Sequence, residues 1–572
     1  MPSRLAVVAA AYPDRPATSC GGMTMTYADL VSKADEIAAR LPKAERLGGE
    51  CVATLFSRND TALAAIFGAL KMGHYVAPLN FFDPLPRQRE IWEHAQASIL
   101  LTDVAASEAA FSLGAKHVVV VDTDPSEVTQ PLRVEDLPEI EPDGVALIIY
   151  TSGSTGAPRG VAHSHRSLLA AAVNRINLHQ ISPFDRVASR FRLSTMAAQL
   201  FVLPALLAGA CLCLYDPEQP DCMNLARWVA DEQITILGGT AASISATDWH
   251  DDVRPGVRPG DVRPYAHLRL YAAGGDIVAK NNAQRWFALN DSALFAANYA
   301  SSETGTMCSN LFSAHSLPDH EILPAGYALS GIDVLILDEE GFPVAGEQVG
   351  EIAVRSAFLA LGYWHDADST AARFLPDPAG GDKRLYLTGD LGIQRGDGLI
   401  RHLGRKGQRV KIHGHSVEPA EVAGALLRIE GVEQAVVVSM EDVTGASHLV
   451  GYVVAAKAAG LTPAVIRRKL AESVPRYMVP SRVMLLEEFP ATVIGKIDRR
   501  SLPLPDLSRR AVDGPIARPR SPLEEKLAVI WSEVLGVVLS RAVLLRPGRR
   551  LLSATQIGNR RCGPKFWSAA PR

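Results

Sequence analysis

The sequence predicts an α/β fold of layered, largely parallel sheets with flanking helices. Short apolar, strand-like runs alternate with helical or loop text through the first part of the chain, the pattern that sheets covered by crossover helices require. At 572 residues the chain exceeds one ordinary domain and should hold about three or four core units. No internal repeat of solenoid or propeller period runs through it.

Residues 5–11 form a short apolar run behind one arginine, with no convincing cleavage site, and a turn follows at 12–16. Thr26-Tyr-Ala-Asp29 reads as a capping box opening an amphipathic helix, with Leu30, Ala34, Ile37 and Leu41 on its apolar face. A strand is expected at 51–56, then a second helix capped by Asn59 and ending near Gly73. Further strands are expected at 75–79, 98–103 and 117–122. The apolar run 200–214 is shorter than the roughly 20 residues of a membrane span, and Pro204 and Gly209 interrupt it. It reads as a buried helix that turns at Gly209 into a strand over 210–214. Residues 404–414 are basic and glycine-rich between short strands, and 501–522 are rich in Pro and Arg, like an exposed linker. Beyond the linker, 522–536 is one amphipathic helix closed by Gly536.

Composition narrows the function classes. With 47% hydrophobic and 21% charged residues the chain is globular rather than disordered. A net charge of −4 gives no reason to expect nucleic acid as a partner. The seven cysteines are scattered with no C-x-x-C pair, so buried reduced thiols are expected rather than a zinc site or disulfide framework. Without a span or a leader, the expected location is the cytoplasm, away from membranes.

The segment Ile148-Ile-Tyr-Thr-Ser-Gly-Ser-Thr-Gly-Ala-Pro-Arg-Gly160 carries the strongest chemical signal. Thr151, Ser152, Gly153, Ser154, Thr155 and Gly156 offer small hydroxyls and close backbone N–H groups, which can wrap phosphate oxygens. No Gly-Lys-Ser/Thr ends the loop, so it is not a Walker A motif. Further along come Asn298-Tyr-Ala-Ser-Ser-Glu-Thr-Gly305, Leu385-Tyr-Leu-Thr-Gly-Asp-Leu-Gly392, Gly404-Arg405, Val410-Lys-Ile-His-Gly-His-Ser-Val-Glu-Pro-Ala-Glu421 and Gly495-Lys-Ile-Asp-Arg499.

In this order, over roughly residues 5–505, these segments resemble the adenylate-forming superfamily: acyl-CoA synthetases, luciferases and the adenylation domains of nonribosomal peptide synthetases. The resemblance is strongest to a peptide-synthetase adenylation domain followed by an incomplete carrier domain. It implies a large N-terminal part of layered sheets with flanking helices, plus a small mobile α+β C-terminal domain. The expected division is 1–403, 404–500, a linker at 501–520 and a carrier-like remnant at 521–572. It implies ATP and Mg²⁺ as cofactors and a pantetheine thiol, on a carrier or on CoA, as acceptor.

By the same resemblance, Tyr299 stacks on adenine, Ser302 contacts the α-phosphate and Glu303 holds Mg²⁺. Asp390 accepts both ribose hydroxyls, Arg405 contacts the nucleotide, and Lys496 is the catalytic lysine. The 410–421 hairpin would line the thiol's tunnel when the small domain turns about a hinge at Gly407. The chemistry calls for Lys496, because a carboxylate attacking a phosphate brings anions together and a cation must offset the developing charge.

The sequence departs from the family pattern in several places. Arg159 stands where most members carry Lys, and Gly407 stands at a hinge position that is commonly Asp. Amino-acid-activating domains usually read Phe-Asp-x-Ser, whose Asp meets the substrate ammonium; this chain reads Phe191-Arg192-Leu193-Ser194. A cation about 4 Å from an ammonium costs on the order of 4 kcal/mol at an effective dielectric near 20. Either the expected substrate lacks an α-amino group and presents an acidic or polar group to Arg192, or Arg192 points away from the pocket. Leu193, Met196, Ala272, Ala296 and Asn298 are the other expected pocket residues. The 522–536 helix resembles the start of a carrier domain, but the serine-bearing Gly-Gly-x-Ser-Leu motif is absent and Arg549 and Arg550 precede Ser553, which is not read as an attachment site.

The leading expectation is ATP-dependent activation of a carboxylic acid as acyl-AMP, with transfer to a carrier protein supplied in trans. A free-standing acyl- or aryl-CoA ligase would use the same residues. A non-catalytic nucleotide-binding relic is the alternative of another class.

Overall fold

The computed structural model describes residues 1–44, 49–122, 137–152, 158–215, 225–240, 265–275, 278, 280–319, 322–344, 346–405, 410–412, 414–417, 419–441, 446–456, 460–490 and 501–505. Of 152, 240, 281, 405, 416 and 420 it describes the backbone alone. Lys496, Gly407, the loop residues Gly153 to Gly156 and the carrier-like helix lie outside the described residues.

The expected α/β layering is present. One sheet runs Gly362–Tyr363, Pro158–Ser164, Val145–Ser152, Tyr75–Pro78, Cys51–Leu55, Ile99–Thr102, His117–Val120. Its strands from Tyr75–Pro78 to His117–Val120 are parallel, as the alternation of strand and helix text demands. A second, nine-stranded sheet centres on the parallel strands Arg186–Ser189, Ile236–Thr240, Leu270–Gly274 and Leu294–Ser301.

Helices fill the space around these sheets, the helices Tyr27–Ala39, Asn59–Lys71 and Met196–Ala208 sharing one core and those at Leu225–Asp231 and Lys280–Leu289 another. Tyr27–Ala39 carries the expected capping box, Thr26 and Asp29 exchanging side-chain and backbone hydrogen bonds. Asn59–Lys71 buries every residue from Asp60 to Leu70, because a helix apolar all round must be covered all round. Met196–Ala208 is buried likewise and ends on Gly209 at φ 84°, a left-handed conformation that glycine adopts without strain. The chain then enters the strand Cys211–Leu214, so the apolar run at 200–214 is the helix-to-strand turn the sequence suggested. Among the described residues no helix is long and apolar enough to cross a membrane. Cys20, Cys51, Cys211, Cys213 and Cys308 are buried free thiols.

One local expectation is corrected. Asn59 is the first residue of its helix, not its cap, and Arg58 before it makes no capping hydrogen bond with its side chain. The entry turn is held from outside the helix: Asp103 Oδ2 accepts the Ser57 and Arg58 N–H groups at 2.9 and 3.1 Å. A tertiary contact has replaced a local one, which no windowed reading could register.

A third, antiparallel sheet contains Gly350–Ser356, Arg384–Gln394 and Ile400–Arg405. After it come the hairpin Val410–Ile412 with His415–Val417, the helix Pro419–Leu427 and a three-stranded sheet of Val432–Glu441, Ser447–Ala455 and Arg482–Leu486. This α+β part has its own core, including Val417, Leu426, Val453 and Ile466. It meets the large part through a buried ion pair, Arg87 Nη1 to Glu421 Oε1 at 3.3 Å.

Candidate active site

Parallel sheets bind ligands at the carboxyl ends of their strands, where loops and helix starts converge. Here Val145–Ser152, Ile236–Thr240, Leu270–Gly274 and Leu294–Ser301 all end at one cavity of about 160 Å³. They contribute Thr151, Gly239, Gly274 with Gly275, and Ser301 with Ser302. The start of the helix Met196–Ala208 adds its cap Thr195, then Met196, Ala197, Leu200 and Phe201. The hairpin closes the cavity from the other domain with Lys411, Gly414 and His415. His415 is stacked on Tyr477, their rings 3.9 Å apart and 8° from parallel.

Of the nucleotide candidates, Thr151 and Ser302 line this cavity. Glu303 is buried beside Ser302, and its Oε1 accepts the Tyr363 hydroxyl at 3.0 Å. Tyr299 donates its hydroxyl to Asp390 Oδ2 at 2.6 Å, and His402 Nε2 lies 3.5 Å from the same oxygen. Burial, and then the Asp390 charge, hold the Tyr299 phenol well above its ordinary pKa, so it stays a donor. In the antiparallel register Asp390 stands opposite Arg405. The fold thus brings Tyr299, Asp390 and the Arg405 backbone together, although they come from three separate motifs. Arg159 packs its guanidinium over the Tyr363 ring at 4.7 Å.

The substrate side departs from the sequence reading. Met196, Ala272 and Asn298 line the cavity as expected. Arg192 and Leu193 do not: they line a neighbouring hollow, where Arg192 lies over the Phe82 ring at 4.2 Å. Ala296 is fully buried in the core, paired with Ala272 across the sheet. Phe191 and Thr195 face the cavity, and Arg192, Leu193 and Ser194 between them turn to the neighbouring hollow. Besides Lys411 of the hairpin, Arg175 of the helix His165–His179 brings a cation to the cavity lining. Its signal is present in the sequence: 165, 168, 172, 175 and 179 follow the spacing of one buried helix face.

That same helix sets a pH dependence. Burial holds His165 down at about 4 and, helped by the Arg175 and Arg269 charges, His179 well below the ordinary 6.5. Both are neutral in the fold and gain a proton on unfolding in acid. Their contribution to stability is complete above about pH 6.5 and is lost as pH falls toward 4, at up to ~1.4 kcal/mol per pH unit for each. The urea midpoint is expected to drop between about pH 7 and 5, and a flat midpoint across that window would contradict the assignment.

Comparison with known proteins accords with this arrangement. A family model described as "AMP-binding enzyme" matches residues 5–364, and one described as "AMP-binding enzyme C-terminal domain" matches 421–496. The chain belongs to the AMP-binding enzyme family. As a member it is an adenylate-forming, AMP-producing ligase, related to peptide-synthetase adenylation domains. This AMP-binding enzyme is 32% identical over 544 residues to isonitrile lipopeptide synthase of Mycobacterium tuberculosis, covering 94% of this chain and 20% of that protein. It is 30% identical over 533 residues to bacitracin synthase 1 of Bacillus licheniformis, covering 92% of this chain and 10% of that protein. The chain spans between 7% and 20% of the length of the curated relatives it matches.

Among solved structures, it is similar to NpsA-ThdA, an artificially fused adenylation–PCP di-domain from Klebsiella oxytoca. The TM-score is 0.71 at 23% identity, covering 94% of this chain and 97% of that one. It is also similar to o-succinylbenzoate CoA synthetase of Bacillus subtilis, with a TM-score of 0.74 at 20% identity, covering 88% and 98%. At these identities the likeness is one of fold.

Proposed function

We propose that this AMP-binding enzyme activates a carboxylic acid as its acyl-AMP and transfers the acyl group to a phosphopantetheine thiol on a carrier protein supplied in trans, in the cytoplasm. One observation carries the reading: a cavity that joins Thr151 and Ser302 to apolar walls is closed by the Lys411–His415 turn of the smaller domain. A chamber that meets phosphate-binding residues on one side and a separate domain on another suits two successive reactions on one acyl group.

In the first, a carboxylate oxygen bonds to the α-phosphorus of ATP and pyrophosphate leaves. The roles proposed for this step follow the chemistry of the side chains. The hydroxyls and N–H groups of Thr151, Ser152, Gly153, Ser154, Thr155 and Gly156 hold phosphate oxygens. Ser302 bonds to the α-phosphate, Tyr299 covers the adenine, Asp390 accepts the ribose hydroxyls, and Arg405 contacts the nucleotide. Lys496 offsets charge on the attacked phosphate. Glu303 fits Mg²⁺, which takes one or two protein carboxylates together with phosphate oxygens and waters. Bound there, the ion would offset phosphate charge. In the second reaction the thiol sulfur bonds to the acyl carbon, AMP departs, and the thiol proton goes to solvent. Rotation about Gly407 would exchange Lys496 for the hairpin between the two steps.

The acceptor is tested by incubating the purified chain with ATP, its acid and either a holo-carrier protein or CoA. Faster AMP release with the holo-carrier is expected. Equal or faster release with CoA would make it a free-standing acyl- or aryl-CoA ligase instead.

A further inference from the structure

Arg175 occupies a position that burial alone would give to an apolar residue. It is 3% exposed, its Nε donates to the Leu200 carbonyl at 3.1 Å, and its guanidinium lies over the Phe201 ring at 4.6 Å. Its Nη1 is buried without a hydrogen-bond partner. Among the described residues, no carboxylate forms an ion pair with it. Burial pushes its pKa down from 12.5 only to about 9, so the group remains a cation at neutral pH. Buried charges are normally paired, because leaving one alone in a poorly polar interior is costly. This one lines the same cavity as Thr151, Ser302 and Met196.

We propose that Arg175 is a specificity-determining residue that pairs with a second carboxylate on the substrate, so that the enzyme activates a dicarboxylic acid. The inference rests on the adenylation reading and names its substrate class. A guanidinium whose Nη1 has no partner has N–H capacity left for a carboxylate oxygen. The charge cannot serve the reacting carboxylate equally well. That group loses its negative charge on becoming an acyl phosphate ester, and a buried partner would hold back the ground state. A second carboxylate keeps its charge from free acid to acyl-AMP to thioester, so its pairing costs the reaction nothing. Met196, Leu200 and Ala272 supply apolar walls for the carbons between the two groups. The same cation disfavours a substrate ammonium, the role that the sequence suggests for Arg192.

The test is ATP–pyrophosphate exchange on the full chain, comparing succinate, glutarate and adipate with butanoate, pentanoate and hexanoate, for the native enzyme, R175M and R175K. Native enzyme should prefer a diacid. R175M should lower kcat/KM for it by roughly 10- to 150-fold while leaving the matched monoacid unchanged or improved. R175K, which keeps the charge but not the fork, should fall between and guards against a folding defect in R175M. Preference for monoacids or amino acids, unaltered by R175M, overturns the proposal. Calorimetric binding of each diacid without ATP separates the two readings. If no acid supports exchange but the native chain binds a diacid and R175M does not, the Arg175 pairing stands and adenylation falls. If neither protein binds any diacid, the pairing is overturned.

Discussion

Replacing Lys496 with alanine is expected to slow ATP–pyrophosphate exchange by about 100- to 1000-fold while ATP binding stays close to native. The reason is electrostatic. A carboxylate approaching a phosphate carries like charge toward like charge, and the pentavalent arrangement concentrates it further. A cation positioned there acts most strongly in the transition state and contributes less to holding ATP, so the loss should appear in the rate and hardly in affinity. The residue sits in Gly495-Lys-Ile-Asp-Arg499, ahead of the Pro- and Arg-rich stretch. Equilibrium nucleotide binding measured beside the exchange rate separates the two effects. An unchanged exchange rate in K496A would remove this lysine from the chemistry, and a native chain as inactive as K496A would favour the nucleotide-binding relic.

Asp390→Asn should show the opposite division. Asp390 is buried, accepts the Tyr299 hydroxyl at 2.6 Å and lies opposite Arg405 in its sheet. Its proposed partners are the ribose hydroxyls, which are bound before and during reaction alike. Removing the charge weakens contacts that are present in both states, so KM for ATP should rise roughly 10- to 150-fold, the range for hydrogen bonds to a charged group, with kcat much less affected. Tyr299→Phe should weaken nucleotide binding less, because the ring remains. Combining the two substitutions should give less than their summed effect, since the two side chains share a hydrogen bond. Full additivity would separate Tyr299 from the ribose site.

Much of this was legible in the sequence because the determinants are local. Alternating strand and helix text indicated parallel pairing, which Tyr75–Pro78, Cys51–Leu55 and Ile99–Thr102 show, and Gly209 marked its turn. The motifs that carry the family resemblance are short and contiguous, and Tyr299 and Asp390, from two of them, share a hydrogen bond. The lining of the cavity was not legible in this way. Its walls come from separate strands, two helices and a hairpin, and within Phe191-Arg192-Leu193-Ser194 only Phe191 lines the cavity while the next three residues line the neighbouring hollow. Arg192 rests on Phe82, while Arg175 occupies a helix face that periodicity marks as buried, without indicating that the face borders a cavity. The cap of the second helix failed similarly, since Asp103 supplies it from a neighbouring strand end.

The proposed function requires that the chain adenylate a carboxylic acid. ATP–pyrophosphate exchange on the purified full chain, run over amino, aryl, hydroxy, keto, fatty and dicarboxylic acids, measures this directly. The expected result is exchange that depends on one class of acid, is strongest for a diacid and is slowed about 100- to 1000-fold by K496A. Folded, ATP-binding protein that exchanges with no acid in the panel would contradict it.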